Sequence, residues 1–587
     1  MIATSLARNR CSGFSKLAAI IAICLISIGA TSAADDRNSF VVLCYHSIPE
    51  RHQGDPMSIS TTRFVEQLEW LKEQGYTAIS LDQVLHAKAG KSQLPSKSFL
   101  ITVDDGYEDV YTNLFPLLKL YKAPAVIALV GKWIEDRQPS KNETDSHFIK
   151  QRFLSWTQIQ EMTKSGLVEV ASHSYDLHQG ILGNPQGNVQ PAAVTLQLKT
   201  PENKYEVLDQ RRKRIRADLE MNSRTIGQHL GKRPRAMVWP YGAYDQIAIE
   251  EAAQAGMFIN LTLDAGQASA SHTEIMPRLL INKEMPLSTF SYLVQHAAMQ
   301  HDTGPVHAIK VNLDRIYDKD PEKENQNLGR LIDGIRVLGL NAVVLQPFVT
   351  PKNRAGIEAV YFPNTILPMR ADLLNRVAWQ LRSRLGVAIY IQAPVSNLSV
   401  SDNGSQRLLD LSIARDRQRL LKLYEELGNH LTIRGILFLD LPSLPTVTSI
   451  RQDLTKQIRD YRSIPQPVQV SSAFYSIIDS KYGLTIQASG QGQAFSVIDL
   501  PADLYSPEIR RFLEGIPNPR NSWVSLPATN LNHQRLQSLL HAIRLLQNKG
   551  IRNFLLDDDK FLDEPATVDS LRSLISLKRN PYLEVGQ

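Results

Sequence analysis

Phe99-Leu-Ile-Thr-Val-Asp104-Asp-Gly-Tyr107 is an apolar run that stops on two adjacent carboxylates. Five apolar or β-branched residues without alternation read as a strand buried on both faces. Val168-Glu-Val-Ala-Ser172 has a similar form; it leads into His173, with a second imidazole five residues on at His178. One Asp and two His are a common ligand set for a divalent metal that keeps positions open for water and substrate. The remaining Asp is then free to act as a base on the water. That is the chemistry of metal-dependent amide or ester hydrolysis.

Outward from these two strings, apolar strands alternate with helical stretches. The expected strands are Phe40–Tyr45, Phe99–Val103, Ala125–Val130, Val168–Ser172, Ala236–Trp239 and Asn260–Leu263. Helical periodicity runs over Thr62–Gln74, Trp156–Ser165, Gln210–Leu230 and Gln246–Ala255. Such alternation predicts a parallel sheet wound into a distorted (β/α) barrel. His46, Asp104, Asp105, His173, Tyr241 and Asp264 all follow strands, and active sites of parallel barrels collect at strand C-terminal ends. Residues 179–205, rich in Gly, Pro, Asn and Gln, read as a long loop or hairpin beside the histidines. A loop of that length in a compact domain is usually functional. Arg211-Arg-Lys-Arg214 sits in a helical pattern and reads as a solvated face.

A second series starts near residue 306. Its strands are Ala308–Leu313, Ala342–Pro347, Val387–Gln392, Gly435–Leu441, Pro467–Ser471, Phe495–Leu500, Trp523–Leu526 and Arg552–Leu556. Helices fall at Asn325–Leu338, Ala371–Arg384, Ala414–Leu427 and Asn532–Lys549. Eight strands separated by helices predict a C-terminal (β/α)8 TIM-like barrel. The expected division is a signal peptide over 1–33, a first domain over 38–298 and a second over 306–587.

The bulk properties agree with two large α/β domains: 587 residues, 43% hydrophobic and 21% charged. A positive n-region (Arg8, Arg10, Lys16), a short apolar run over Leu17–Gly29 and the small residues Thr31-Ser-Ala-Ala34 predict export. Cys44 remains alone after cleavage, so no intramolecular disulfide is expected, and its apolar neighbours mark it as a core residue. The net charge of +6 is mild and gives no ground for nucleic-acid binding.

The ordered strings Val42-Leu-Cys-Tyr-His-Ser47, Phe99 to Tyr107, Val170-Ala-Ser-His-Ser-Tyr-Asp-Leu-His-Gln-Gly180 and Trp239-Pro-Tyr-Gly242 resemble the polysaccharide deacetylases, carbohydrate esterase family four. With Val360-Tyr-Phe-Pro363, Leu367-Pro-Met-Arg-Ala-Asp-Leu373 and Arg376-Val-Ala-Trp-Gln-Leu-Arg382 in the second half, the chain is similar to the periplasmic poly-β-1,6-N-acetyl-D-glucosamine N-deacetylases of biofilm export systems. The resemblance implies Asp105, His173 and His178 as metal ligands, Asp104 as the base on the metal-bound water and His46 as the acid to the leaving amine. It implies Tyr241 and Trp239 as oxyanion and substrate residues, and Arg233 and Asp264 as the groups that orient base and acid. The metal is expected to be zinc, with iron, cobalt and nickel compatible with the same ligands. The implied partners are the poly-N-acetylglucosamine polymer and an outer-membrane export porin, with location in the periplasm and association with the outer membrane left open.

In the second barrel the strand-end acids are Asp314, Asp318, Asp440 and Asp557 to Asp559, with Asp440 and Asp314 the leading candidates. Glycoside hydrolysis needs a pair of carboxyl groups, and the Leu-Asp-Leu context of Asp440 departs from the His-Asp-Asp of relatives. A barrel that binds cationic, partly deacetylated polymer is the expectation. The alternatives are an export adaptor with C-terminal endo-glycosidase activity, and a deacetylase of chitooligosaccharide or peptidoglycan.

Overall fold

The computed structural model describes residues 38–52, 54–137, 152–264, 266–297, 304–349, 356–395, 397–402, 404–431, 433–439, 469–471, 496–499 and 522–577. The expected signal peptide, Asp440 and most of the segment between the two domains lie outside the described residues.

The first domain is built on a nine-stranded sheet. Its main strands are β1 (Ser39–Tyr45), β2 (Ser98–Val103), β3 (Ala125–Leu129), β4 (Val168–Ser172), β5 (Ala236–Val238) and β6 (Ile259–Leu261). They lie side by side in the order β6-β5-β4-β3-β2-β1, all parallel. Beyond β1 comes a two-residue strand, β7 (Leu279–Leu280), also parallel, and a short antiparallel strand at Ala268–Ser269. Every residue of β2 is buried, as an unalternating apolar run requires. A fully buried Leu, Ile or Phe there contributes about 1.5–3 kcal/mol. Helices α1 (Thr61–Glu73), α2 (Trp156–Lys164), α3 (Leu208–Leu230) and α4 (Gln246–Gln254) follow within about two residues of the predicted spans. Ser60 and Ser155 accept from Arg63 and Gln158 backbone N–H groups, which fixes the starts of α1 and α2.

The 179–205 segment takes the hairpin form, with two small antiparallel ladders, Gly180–Leu182 with Val189–Pro191 and Leu198–Lys199 with Lys204–Tyr205. One expectation changes. The Arg211 to Arg214 run is not a solvated face. Arg211 is 1% exposed, paired to Asp245 at 2.5 Å, and Arg214 donates to Glu206 and to the carbonyls of Ala192 and Thr195. A basic run on a helix looks solvated until the acids that face it are known.

The second domain carries all eight expected strands: β8 (His307–Asn312), β9 (Ala342–Gln346), β10 (Ala388–Pro394), β11 (Gly435–Leu439), β12 (Gln469–Ser471), β13 (Ser496–Asp499), β14 (Ser522–Leu526) and β15 (Asn553–Leu556). Their order is β12-β11-β10-β9-β8-β15-β14-β13, with parallel neighbours throughout. Helices α5 (Pro321–Leu338), α6 (Leu374–Leu385), α7 (Ala414–Asn429), α8 (His533–Asn548) and α9 (Pro565–Ile575) cover it. Both domains are therefore α/β with parallel sheets curved as half-barrels.

Candidate active site

The strand ends converge as their polarity predicts. His46 leaves β1, Asp104 and Asp105 leave β2, and His173 leaves β4. Cross-strand bonds set this register: the Asp104 N–H donates to the Tyr45 carbonyl at 2.9 Å, and the His173 N–H to the Leu129 carbonyl at 2.9 Å. Asp105 and Ser174 sit in the left-handed region at φ 73° and 72°. Such backbone strain in non-glycine residues clusters at functional sites. Here it turns Asp105 back over the end of β2.

Asp105 Oδ1 lies 3.4 Å from His173 Nε2 and 3.4 Å from His178 Nε2. All three residues are buried, and Asp105 Oδ1 accepts no hydrogen bond. A buried carboxylate oxygen without a donor, faced by two imidazole nitrogens, is a set that a cation completes. His173 Nδ1 lies 2.8 Å from the Val238 carbonyl, which assigns its proton to Nδ1 and leaves the Nε2 lone pair able to meet a cation. The His178 ring stands between Trp133 and Tyr241, with centroids at 4.6 and 4.4 Å. Burial pushes the His178 imidazole down to about 4, partly opposed by the Asp105 charge, so at neutral pH it is the uncharged form that metals bind. Burial alone would push the Asp105 carboxyl up, but the imidazoles of His173, His178 and His46 hold it well below the usual range. These residues fit a divalent cation by donor type and by mutual distance.

Asp104 stands beside them, 2% exposed, and its partner is Arg278. Arg278 Nη1 donates to Asp104 Oδ1 at 2.8 Å and Nη2 to Oδ2 at 2.9 Å. The same guanidinium donates to Thr102 Oγ1 and the Thr262 carbonyl, which locks it between two strand ends. Burial would raise the Asp104 carboxyl, but the Arg278 charge and hydrogen bonds, together with the His173 and His46 imidazoles, outweigh it and hold the group below its usual value. Cys44, read as core, is buried but also donates from Sγ to Asp104 Oδ2 at 3.5 Å. His46 Nε2 lies 3.9 Å from Asp104 Oδ2. Burial lowers its imidazole pKa, opposed by the Asp105 and Asp104 carboxylates.

Three predicted residues are placed elsewhere. Arg233 precedes β5 and so lies at the opposite end of the sheet, in a cavity wall with Asp82 and Glu169. A three-residue strand rises about 10 Å, too far for Arg233 to reach the centre by backbone alone. Asp264 does not meet His46; its carboxylate accepts from Tyr244 Oη and from Thr262 Oγ1. Trp239 is fully buried, its Nε1 donating to Asn260 Oδ1 at 3.0 Å, so it is a core residue under the site. Tyr241 is 46% exposed, with φ 58°, and forms the rim. Arg278 was missed because β7 is too short to register as a strand; a charge directly before Leu279-Leu-Ile281 was the available signal.

A cleft of about 260 Å³ opens next to Tyr241 and runs between the domains, lined by Tyr244 and Asp264 on one side and Trp379, Arg382 and His430 on the other. In the second domain Asp314 accepts from Tyr361 Oη at 2.7 Å, and Asp557 accepts from the Ala528 N–H at 2.6 Å. Burial pushes the Asp559 carboxyl up to about 6, against the Arg315 guanidinium at 3.0 Å.

With this centre in view, the comparisons with known proteins are specific. Residues 91–260 match the family described as polysaccharide deacetylase, and residues 310–412 match hypothetical glycosyl hydrolase family 13. A parallel half-barrel holding Asp-Asp and His-x4-His at its strand ends is the polysaccharide deacetylase arrangement, and the chain belongs to that family of hydrolases. Within it the chain is of the poly-beta-1,6-N-acetyl-D-glucosamine N-deacetylase type. It is 29% identical over 617 aligned residues, 91% of either chain, to the Escherichia coli K12 protein of that name. It is 23% identical to the Staphylococcus aureus protein of the same name over 40% of this chain and 71% of that one. Among solved structures, a de-N-acetylase from Aggregatibacter actinomycetemcomitans is 35% identical, with 44% of this chain and all of that chain covered and a TM-score of 0.40.

Proposed function

We propose that the chain hydrolyses acetamide groups on part of the units of poly-β-1,6-N-acetyl-D-glucosamine, during export of the polymer as a biofilm matrix. The observation that carries it is the buried Asp105, His173 and His178 trio beside an Asp104 gripped by Arg278. A divalent cation on the trio, zinc before iron, cobalt or nickel, would supply a Lewis acid for the acetamide carbonyl and the attacking water. Asp104, kept ionised by Arg278, takes the proton of that water. His46, whose Nε2 lies 3.9 Å from Asp104 Oδ2, gives a proton to the departing amine. The Tyr241 backbone N–H is the donor for the developing oxyanion.

The polymer runs through the cleft between Tyr241 and Trp379, and the acids at the C-terminal strand ends of the second domain hold glucosamine units already freed of acetate. That domain spans 306–587 as a (β/α)8 barrel, and it binds without cleaving. The deacetylase domain spans 38–298, after an export signal over 1–33. The protein works in the periplasm and passes its product to an outer-membrane porin. Fractionation of producing cells tests the location.

The direct test is acetate release from β-1,6-linked N-acetylglucosamine oligomers by wild type, Asp104→Asn and His173→Ala, with metal added back after chelation. Activity confined to metal-loaded wild type supports the assignment. Release from chitin oligomers alone would overturn the linkage, and release from no glycan would overturn the activity.

A further inference from the structure

The 180–205 insert places no ligand atom in the centre, yet it begins two residues after His178. Its first hairpin crosses to the second domain, where amide side chains close into a knot. Asn375 Oδ1, on the first turn of α6, accepts from Asn184 Nδ2 at 2.8 Å and from Gln190 Nε2 at 2.6 Å. Asn375 Nδ2 donates to the His430 carbonyl at 2.6 Å. Asn184 Oδ1 accepts the Asn188 N–H at 3.2 Å, so the residue that builds the hairpin turn is also the one that docks it. Asn184, Gln190 and Asn375 are 0%, 7% and 7% exposed. Buried amides are tolerated only when paired, so the knot admits one register. Two further bonds flank it: Tyr205 Oη donates to Asp372 Oδ2, and Gln186 Nε2 donates to the Asp372 carbonyl at 2.9 Å.

From the knot the path to the metal centre is continuous. The returning strand meets the outgoing one where the Ala192 N–H donates to the Gln179 carbonyl at 3.1 Å, and Gln179 follows His178 directly. Leu177, Ala192 and Val194 pack in one apolar cluster with Trp239. Asp105 and His173 are positioned by the strands they leave, and His173 also by the Val238 carbonyl. His178 is different: it lies six residues beyond β4, on a loop. It is the ligand whose placement depends most on what holds that loop.

We propose that Asn375 is a positioning residue for the metal centre. Through Asn184 and Gln190 it holds the hairpin that starts beside His178, so the second domain sets how tightly the first domain keeps its cation. This rests on Asp105, His173 and His178 being the ligands.

The test uses the full chain and zinc alone, with a competing chromogenic chelator to read the dissociation constant, and thermal unfolding as a separate readout. Wild type, His178→Ala, Asn375→Leu, Asn375→Asp and Asn184→Ala are compared. Asn375→Leu is expected to weaken zinc about tenfold, the low end of the ~10–100-fold lost when groups that orient ligands are removed. Asn375→Asp keeps the acceptor for both donors but sets an oxygen against the His430 carbonyl, so its zinc constant is expected to fall between those of wild type and Asn375→Leu. A purely structural knot would lower the unfolding temperature without moving the zinc constant. Folded Asn375→Leu that binds zinc within about twofold of wild type, with His178→Ala clearly weaker, overturns the positioning role alone. If Asn375→Leu does not fold, Asn184→Ala, which removes one of the two donors, is held to the same criterion. Equal zinc binding by wild type and His178→Ala overturns the ligand assignment and the proposal with it.

Discussion

Replacing Arg278 by Gln removes a guanidinium from a carboxylate buried to 2%. Both Asp104 oxygens lose a charged donor, at 2.8 and 2.9 Å, and the Thr102 hydroxyl and Thr262 carbonyl lose theirs as well. Breaking a buried pair by removing one partner costs about 3–5 kcal/mol. At about 2–4 °C per kcal/mol for a domain of this size, the first domain should unfold roughly 6–20 °C earlier. The pH dependence has a definite sign. In wild type the Asp104 pKa is lowered, so the pair stabilises above the unfolded value of about 3.9 and that stability is lost as pH falls through the folded value. In the variant burial is opposed only by the His173 and His46 imidazoles, so the carboxyl pKa rises relative to wild type and ionisation at higher pH stabilises less. The gap between the two proteins therefore widens from pH 4 to pH 7. Activity should fall at neutral pH, by up to about 10²–10⁴, the usual contribution of a general base, because Asp104 loses the guanidinium that favours its ionised form and fixes its two oxygens. Arg278→Lys keeps a charge but not the two-pronged fit and should recover only part of the loss. Thermal unfolding at pH 4 and 7, with acetate release across pH, measures all of this. Unfolding at the wild-type temperature at both pH values, with rates within about threefold, would show that Arg278 neither stabilises the fold nor maintains Asp104 as a base.

Asp105→Asn should emerge from dialysis with little bound metal while wild type keeps close to one ion per chain; equal metal content would remove Asp105 from the ligand set. His46→Gln should keep its metal and lose about 10²–10⁴ in kcat with KM little changed, and an unaltered kcat would exclude His46 as the acid. Trp379→Ala should raise KM for long oligomers more than for short ones, because the cleft beside Tyr241 loses its far wall; an equal effect on both lengths counts against the cleft as the polymer path. Burial pushes the Asp372 carboxyl up to about 6, with the Tyr205 bond acting against it. Its ionised form is thus disfavoured in the folded chain, and stability is lost as pH rises from about 4 towards 6. Asp372→Asn should therefore unfold later than wild type at pH 8 but not at pH 4, as differential scanning calorimetry would show.

Much of the site lies in plain view along the chain because its parts are local. Asp104 and Asp105 are neighbours at one strand end, and His173 and His178 flank one turn after another. Their apolar strands are unalternating because both faces are covered, and that burial is written directly into composition. All eight strands of the second sheet were legible too, as short runs of strand-forming residues between helical stretches. What the chain hid was of two kinds. β7 is only two residues long, so Arg278 before it carried no periodic signal, and the resemblance pointed instead to Arg233, which stands at the opposite end of the sheet. Asp264 likewise follows a strand but is taken up by Tyr244 and Thr262.

The strand and helix pattern of two parallel sheets, and the residue types able to hold a metal and move a proton, could be read from the chain alone, since each is encoded within a few residues. Tertiary structure alone decided which partner each buried polar group takes. Arg278 reaches Asp104 across 174 residues, and Asn375 reaches Asn184 across 191. Such pairings arise where strands and hairpins converge in space, and a charge or an amide in the chain looks the same whether or not its partner will be there.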